Sequence, residues 1–210
     1  HNESNGWDNA DGSNDNHSWN CGAEGETRDE AVNTLRRRMI RNACAVLMCS
    51  RGIPMFLAGD EFGNTQFGNN NPYCHDDVVS WLDWSLLEKN QDIFRFFKFM
   101  IQFRKEHPVL RSNISDGFGG LPDISFHGTS PWVEGFSGYD RYIGVMMAGQ
   151  EDGKRPETVY IASNAYWEQL EAVLPQLPDG MEWFRAVNTW DAQVRESGPV
   201  EPGFVIPPRT

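Results

Sequence analysis

The chain has 210 residues, of which 39% are hydrophobic and 23% charged, enough for one large packed domain or two small ones. Its net charge of −12 at pH 7 disfavours nucleic acid and membrane surfaces as partners, because both carry negative charge. The longest apolar runs, 43–48 and 53–58, are far shorter than the ~20 residues that a spanning helix needs. The first residues do not resemble a signal peptide.

The cysteines and acidic residues do not form a recognisable metal-binding pattern. Cysteines stand at positions 21, 44, 49 and 74, and none belongs to a C-x-x-C pair, so a zinc site is disfavoured. A calcium loop in 8–15 is disfavoured because Ala10 stands where an oxygen ligand is needed. We therefore expect no cofactor, no metal, and reduced thiols in a cytoplasmic protein.

The first part of the chain predicts a polar loop followed by a long helix. Residues 1–26 are rich in Asn, Asp, Gly and Ser, which favour irregular structure. Thr27 and Glu30 then have the spacing of a capping box, in which two side chains satisfy free N–H groups of the first turn. Apolar residues recur at helical spacing after them, and Gly52 is a plausible stop, so we expect a helix over about 28–50.

The run IPMFLA at 53–58 is apolar without alternation, which is typical of a strand buried on both faces of a parallel sheet. A long helix followed directly by such a strand predicts one α/β unit of a barrel or doubly wound sheet. Polar residues come next, beginning with Asp60 and Glu61, and α/β folds place their sites at this end of a strand.

Later residues predict a second helix and then an all-β region. Ser85 and Glu88 repeat the capping-box spacing, and the helix after them should end before Pro108. From about 111 the chain has short β-prone runs separated by Gly and Pro, which predicts an antiparallel sheet or sandwich. The expected strands are 123–127, 142–147, 158–162, 183–187 and 204–206, and a domain boundary is expected near 110.

Three groups of polar residues are candidates for chemistry. Asp60 and Glu61 are a conceivable acid–base pair, but neighbours at the end of a strand point to opposite sides. The cluster at 75–77 reads best as a solvated turn, since no serine or cysteine stands in a recognisable nucleophile context. Two interpretations of the segment Asn69–Asn70–Asn71 with Tyr73 are equally supported. One is sugar binding, with amides that bond to hydroxyl groups and a ring that stacks on the sugar, and the other is an ordinary turn.

An ordered series of motifs resembles a known enzyme family. HNESNGWDNADG, NHSWNCGAEGE, IPMFLAGDEFGNTQFGNNNPYCHDD, WLDW, RKEHPVLR, PDISFHG, VYIASNAYWE and PPRT follow one another as in isoamylase-type debranching enzymes of the α-amylase superfamily, glycoside hydrolase family 13. The resemblance covers essentially the whole chain, and the segment 59–73 is its most specific part.

The resemblance implies the C-terminal part of a (β/α)₈ barrel over residues 1–110 and a β-sandwich over 111–210. It implies a hydrolase that cleaves α-1,6-glucosidic branch points of glycogen or starch with retention. No residue here matches the family's catalytic acids, which belong upstream of His1, so the isolated chain is expected to be inactive. The implied substrate-binding residues are His1, Asn2, Glu3, Asp60, Glu61, Asn69, Asn70, Asn71 and Tyr73.

The implied partners are a branched α-glucan such as glycogen, amylopectin or limit dextrin, and an N-terminal part of the same enzyme. In a plant or alga the location would be the plastid rather than the cytoplasm. Two alternatives stay open. One is a noncatalytic glucan-binding or scaffolding module, which predicts exposed, coplanar aromatic residues such as Trp167 or Trp183. The other is a related enzyme that acts by transglycosylation.

Overall fold

A computed structural model describes residues 15, 17–73, 75–111, 117–133, 137–151, 153–191 and 198–210. The chain divides into two compact units, and the division falls within both long helices. Unit 1 is His1–Arg41 with Met55–Phe97, and unit 2 is Asn42–Pro54 with Lys98–Thr210. The helices are α1 (Glu30–Cys49), α2 (Ser85–Lys89) and α3 (Gln91–Glu106), with short 3₁₀ turns at Asp60–Phe62 and Pro108–Leu110. The strands are β1 (Ile124–His127), β2 (Tyr142–Gly149), β3 (Glu157–Asn164), β4 (Leu170–Val173) and β5 (Gly203–Ile206).

Helix α1 lies where its apolar spacing predicts it, but its cap differs from the predicted one. The Asp29 carboxylate accepts the N–H groups of Ala31 and Val32, at 2.8 and 3.3 Å. The hydroxyl of Thr27 accepts the N–H of Asp29 instead of a first-turn group of the helix. The capping-box prediction at Thr27 was therefore wrong, because Asp29 stands closer to the helix start and its carboxylate is the stronger acceptor.

The predicted strand at 53–58 is absent from the described structure. Residues 53–57 belong to no strand or helix, and Ile53, Met55 and Leu57 are 96%, 87% and 63% exposed. A strand forms only where a neighbour completes its hydrogen-bond ladder. All strand pairs of the described residues are antiparallel and lie after residue 117, and none includes this run.

Unit 1 is organised around Phe62, which is 1% exposed. Its carbonyl accepts a hydrogen bond from the Asn90 side chain at 2.9 Å, and its ring packs 5.4 Å from that of Trp84. Arg37 of α1 donates to both Asn90 and Asp92, at 2.8 and 2.6 Å, and so ties the two helices together within this unit. These contacts hold the turn that carries Asp60 and Glu61.

In unit 2 a buried arginine closes the C-terminal end of α1. Arg104, 6% exposed, donates to the carbonyl oxygens of Met48, Ser50 and Gly52 at 2.6–2.7 Å. The last carbonyls of a helix lack partners within it, and a cation is favoured there by the helix dipole. Arg51 forms a two-pronged ion pair with Asp123, which fixes the start of β1.

The β-region forms two antiparallel sheets, in the orders β1–β2–β3 and β4–β5. In the larger sheet Val145 pairs with Phe126 on one side and Ile161 on the other. Four of the five predicted strands are found. The run 183–187 contributes only a bridge between Phe184 and Pro199. Strand β4 was not predicted, because its four residues are too few to show a clear apolar pattern.

Two small apolar clusters form the cores of the sheets. Leu121, Met146 and Ala148 make one, joined by Tyr160, Leu177 and Trp183, while Tyr142, Ala172 and Ile206 make the other. Whether the sheets form a sandwich, and whether a domain boundary lies near 110, stay predictions. Each helix among the described residues is too short or too polar to cross a bilayer.

Candidate functional site

A tight turn at Gly59–Gly63 carries the first pair of predicted site residues. Gly59 has φ 103° and Gly63 φ 72°, both in the left-handed region that favours glycine. A side chain at Gly59 would also lie 2.7 Å from Asn64 and 2.9 Å from Leu82. The GDEFG sequence therefore specifies a compact 3₁₀ turn.

The carboxylates of Asp60 and Glu61 each bind the backbone of this turn. Asp60 accepts the N–H of Leu57 at 3.0 Å, and Glu61 accepts the N–H of Gly59 at 2.8 Å. They lie on a 3₁₀ turn rather than at the end of a strand, so the predicted strand geometry does not apply. With one oxygen of each bound to a local N–H, both residues stabilise the turn, and their remaining oxygens are acceptors suited to hydroxyl groups.

The Asn69–Tyr73 segment is a second turn in unit 1. Asn69 is 3% exposed, and its side-chain oxygen accepts the N–H of Asn71 at 2.7 Å. The Asn71 side-chain oxygen accepts the N–H of Tyr73 at 3.3 Å, and Gln66 donates to the Asn69 carbonyl at 2.7 Å. Asparagine thus has the ordinary turn role that the sequence allowed.

Tyr73 differs from the asparagines because its ring is 80% exposed at the end of this turn. Asn70 is exposed as well, and Asn71 is half-buried. An exposed phenol on an ordered turn offers an apolar face for the C–H side of a pyranose ring and a hydroxyl for its polar edge. The geometry therefore permits sugar binding at Tyr73 in addition to the structural role of Asn69 and Asn71.

The remaining sequence candidates lie either on a third turn or outside the described residues. The cluster at 75–77 is a turn: Asp77 accepts the N–H of Val79 at 2.9 Å, and Ser80 donates to the His75 carbonyl at 2.6 Å. His1, Asn2 and Glu3 lie outside the described residues. In the part of the chain that is described, no group of three or more His, Cys, Asp or Glu side chains is arranged to hold a metal ion.

Two exposed tryptophans of unit 1 were not among the predicted site residues. Trp81 and Trp84 are 56% and 65% exposed, and the indole N–H of Trp81 donates to Asp76 at 3.0 Å. The aromatic spacing of WLDW is the sequence signal that would have found them. Between them, Asp83 accepts the N–H and hydroxyl of Ser85, and these hydrogen bonds lower the pKa of the Asp83 carboxyl.

Relatives of this chain are found among starch and glycogen enzymes. It is 40% identical to the chloroplastic isoamylase 3 of Oryza sativa over 90% of its own length, and 38% identical to a glycogen operon protein GlgX homolog of Mycobacterium tuberculosis over 91%. This chain is related to the isoamylase-type debranching enzymes and matches their C-terminal part. It spans 23% and 29% of the length of these two relatives.

Solved structures with a similar fold come from the same group of enzymes. A pullulanase from Bacillus acidopullulyticus superimposes on 87% of this chain with a TM-score of 0.63 and 21% identity, over 20% of its own length. A pullulanase from Paenibacillus barengoltzii, in complex with maltohexaose and α-cyclodextrin, has a TM-score of 0.55 at 26% identity and covers 82% of this chain, over 25% of its own length. No protein-family model matches the chain.

Proposed function

We propose that this chain is part of a debranching enzyme that hydrolyses the α-1,6-glucosidic branch linkages of glycogen or starch. The observation that carries the proposal is the similarity to isoamylase-type enzymes over nine-tenths of the chain. Branched α-glucans such as glycogen, amylopectin or limit dextrin are its proposed substrates, in the cytoplasm, or in the plastid of a plant or alga.

The proposed reaction proceeds with retention of configuration. One carboxylate attacks the anomeric carbon while another, roughly 5–5.5 Å away, protonates the leaving oxygen. By resemblance these acids precede the part of the enzyme that this chain matches. Asp60 and Glu61 do not replace them in the proposal, because by resemblance neither matches a catalytic acid of the family, and each stabilises its own turn through a backbone N–H.

We assign substrate binding to the two turns of unit 1. Tyr73 supplies the stacking face, and Asn70 and Asn71 supply amide groups that both donate and accept. Asp60 and Glu61 support the neighbouring turn and present acceptors to sugar hydroxyls. His1, Asn2 and Glu3 remain proposed binding residues on the strength of the resemblance alone.

The proposed architecture is the last part of a (β/α)₈ barrel over residues 1–110 and a β-sandwich over 111–210. It is supported by the order of elements, since among the described residues the two long helices precede residue 110 and the five strands follow it. In that architecture the run 53–58 is a barrel strand, and its partners belong to an N-terminal part of the same enzyme.

The first test measures reducing ends released from glycogen and pullulan by this chain alone, with a complete isoamylase as positive control. We expect no release from either polymer. Clear release would contradict the assignment of the catalytic acids to an upstream part and would return attention to Asp60 and Glu61.

The second test places this chain in the position of the matching part of the rice isoamylase 3 and repeats the assay. We expect the chimaera to release reducing ends from glycogen, and the same chimaera with Tyr73→Ala to have a higher KM. Phe184→Ala, which changes an exposed ring of unit 2, is the matched control. A folded chimaera that leaves branch points intact would contradict the proposed function.

A further inference from the structure

An open hollow of about 500 Å³ lies at the ends of the β-strands within unit 2. It is formed by the segment after β1, by the residues that lead into β2, and by the connection between β3 and β4. Its volume falls within the roughly 300–1,000 Å³ that is usual for ligand sites. Its lining includes Thr129, Ser130, Tyr139, Asp140, Arg141, Tyr142 and Tyr166.

The floor and walls of this strand-end hollow are fixed by hydrogen bonds. Tyr142 is 7% exposed, and its hydroxyl bonds to that of Tyr160 at 2.8 Å. Burial, together with that bond, raises the pKa of the Tyr142 hydroxyl. The backbone N–H of Val173 donates to the backbone carbonyl of Thr129 at 2.9 Å, and the backbone N–H of Ala165 donates to the backbone carbonyl of Arg141 at 2.7 Å. A ligand would therefore meet a site that is already formed.

Flat aromatic side chains stand around the hollow. Tyr139 is 88% exposed, and the rings of Tyr166 and Trp167 lie 4.3 Å apart between centroids at 33°. Tyr166 lines the hollow, and Trp167, whose ring contacts that of Tyr166, is 63% exposed. The backbone N–H of Tyr166 donates to the side-chain oxygen of the buried Asn164 at 2.8 Å. This bond holds the Tyr166–Trp167 pair at the end of β3. Such a surface fits the C–H faces of pyranose rings.

Trp183, the other aromatic residue considered from sequence, does not take part. It packs edge-on against Tyr160, with ring centroids 5.9 Å apart, and its indole N–H donates to the Pro175 carbonyl at 2.9 Å. It is therefore a core residue, and the prediction of an exposed aromatic holds for Trp167 only.

The polar groups of the hollow suit an uncharged ligand. Asp140 and Arg141 bring one negative and one positive charge side by side, in a chain whose net charge is −12. The Arg141 guanidinium donates to the carbonyls of Gly138 and Asp140, at 3.0 and 3.2 Å, and keeps further N–H groups to donate. With the hydroxyls of Thr129 and Ser130, the site offers donors and acceptors without an excess of either charge.

We propose that the strand-end hollow binds a segment of an α-glucan chain, stacked on Tyr139 and on the Tyr166–Trp167 pair. The choice of α-glucan among pyranose polymers rests on the proposed function. These residues are separate from those of the turns at 59–73.

The test is native electrophoresis of the chain through gels with and without glycogen, followed by titration with maltoheptaose. We expect glycogen to retard the chain, and Tyr139→Ala and Trp167→Ala each to raise the Kd for maltoheptaose roughly fivefold to tenfold. Trp167→Phe should retain most of the binding, since it keeps an aromatic face. Phe184→Ala is the control, because it removes an exposed ring, 56% exposed, elsewhere in unit 2.

Each outcome decides the proposal. Retardation that falls with Tyr139→Ala and Trp167→Ala but not with Phe184→Ala supports it, provided that circular dichroism shows the variants to be folded. Absence of retardation, equal retardation of all variants, or loss with Tyr73→Ala alone would overturn it. Because the assay needs no bond cleavage, an inactive chimaera would refute the debranching function and leave this binding result unaffected.

Discussion

Two apolar runs of this chain differ in whether neighbouring strands pair with them. Strand β2, Tyr142–Gly149, pairs with β1 on one edge and β3 on the other, and most of its residues are buried. The run 53–58 is as apolar, yet Ile53, Met55 and Leu57 are largely exposed and no ladder of the described residues includes them.

An apolar sequence stabilises a strand only when neighbouring strands and surfaces cover it. Burying an apolar side chain is worth about 1.5–3 kcal/mol, but only where another surface covers it. An antiparallel neighbour can come from a short turn, whereas a parallel neighbour needs a crossover connection and therefore more chain. Strand β2 has antiparallel neighbours close in sequence, and the run 53–58 has none among the described residues.

The two runs each contain methionine, so the same residue type can be changed in both. Met146 of β2 is 0% exposed and Met55 is 87% exposed. We expect Met146→Ala to lower the free energy of unfolding by about 2–5 kcal/mol, because it leaves a cavity. Met55→Ala should change it by less than about 0.5 kcal/mol. Urea unfolding followed by circular dichroism measures both, and equal losses would mean that the run 53–58 is buried in solution.

A glycine pair tests how closely β2 is packed. A methyl group at Gly144 would lie 1.9 Å from the Tyr160 hydroxyl oxygen, whereas one at Gly203 of β5 would meet nothing within 4 Å. We expect Gly144→Ala to cost about 1–3 kcal/mol through overpacking. Gly203→Ala should be neutral or slightly stabilising, because it restricts the unfolded chain. The midpoint of thermal unfolding gives both results, and an unchanged midpoint for Gly144→Ala would show that Tyr160 moves away at little cost.

Two buried cysteines near the C-terminal end of α1, Cys44 and Cys49, give a pH test. Burial, with repulsion from Cys49, raises the pKa of Cys44 to about 12, and burial, opposed by Arg104, raises that of Cys49 to about 11. Unfolded thiols titrate near roughly 8.5. The unfolded state therefore loses these protons first, so stability is complete below that pH and falls as pH rises towards the folded values.

As the pH rises from about 8 to about 10, we expect the titration of each thiol to lower the free energy of unfolding by on the order of 1–2 kcal/mol. Urea unfolding under reducing conditions at both pH values measures the change. A variant with Cys44→Ala and Cys49→Ala should have a flatter pH profile than the parent chain. An equally steep profile in that variant would assign the alkaline loss to other groups.

The sequence predicted those parts of the fold that depend on local pattern. Helix α1 follows from the spacing of apolar residues, and four strands, β2 among them, follow from β-prone runs between Gly and Pro. The bonds of Asp60 and Glu61 were not predictable, because they depend on a 3₁₀ turn that takes the place of the expected strand end. The strand-end hollow brings together residues from 128 to 170, and no local pattern encodes such a convergence.

The smallest expected effect concerns the outward face of the exposed run. We expect Ile53→Thr with Leu57→Thr to leave the free energy of unfolding within about 0.5 kcal/mol, since both side chains already contact water. The same change should lower self-association, because exposed apolar residues on an extended segment favour contact between chains. Sedimentation velocity at several concentrations measures that association, with Val205→Thr, which alters a 53% exposed residue of β5, as control. A loss of stability without a change in association would mean that this face packs within one chain rather than against another.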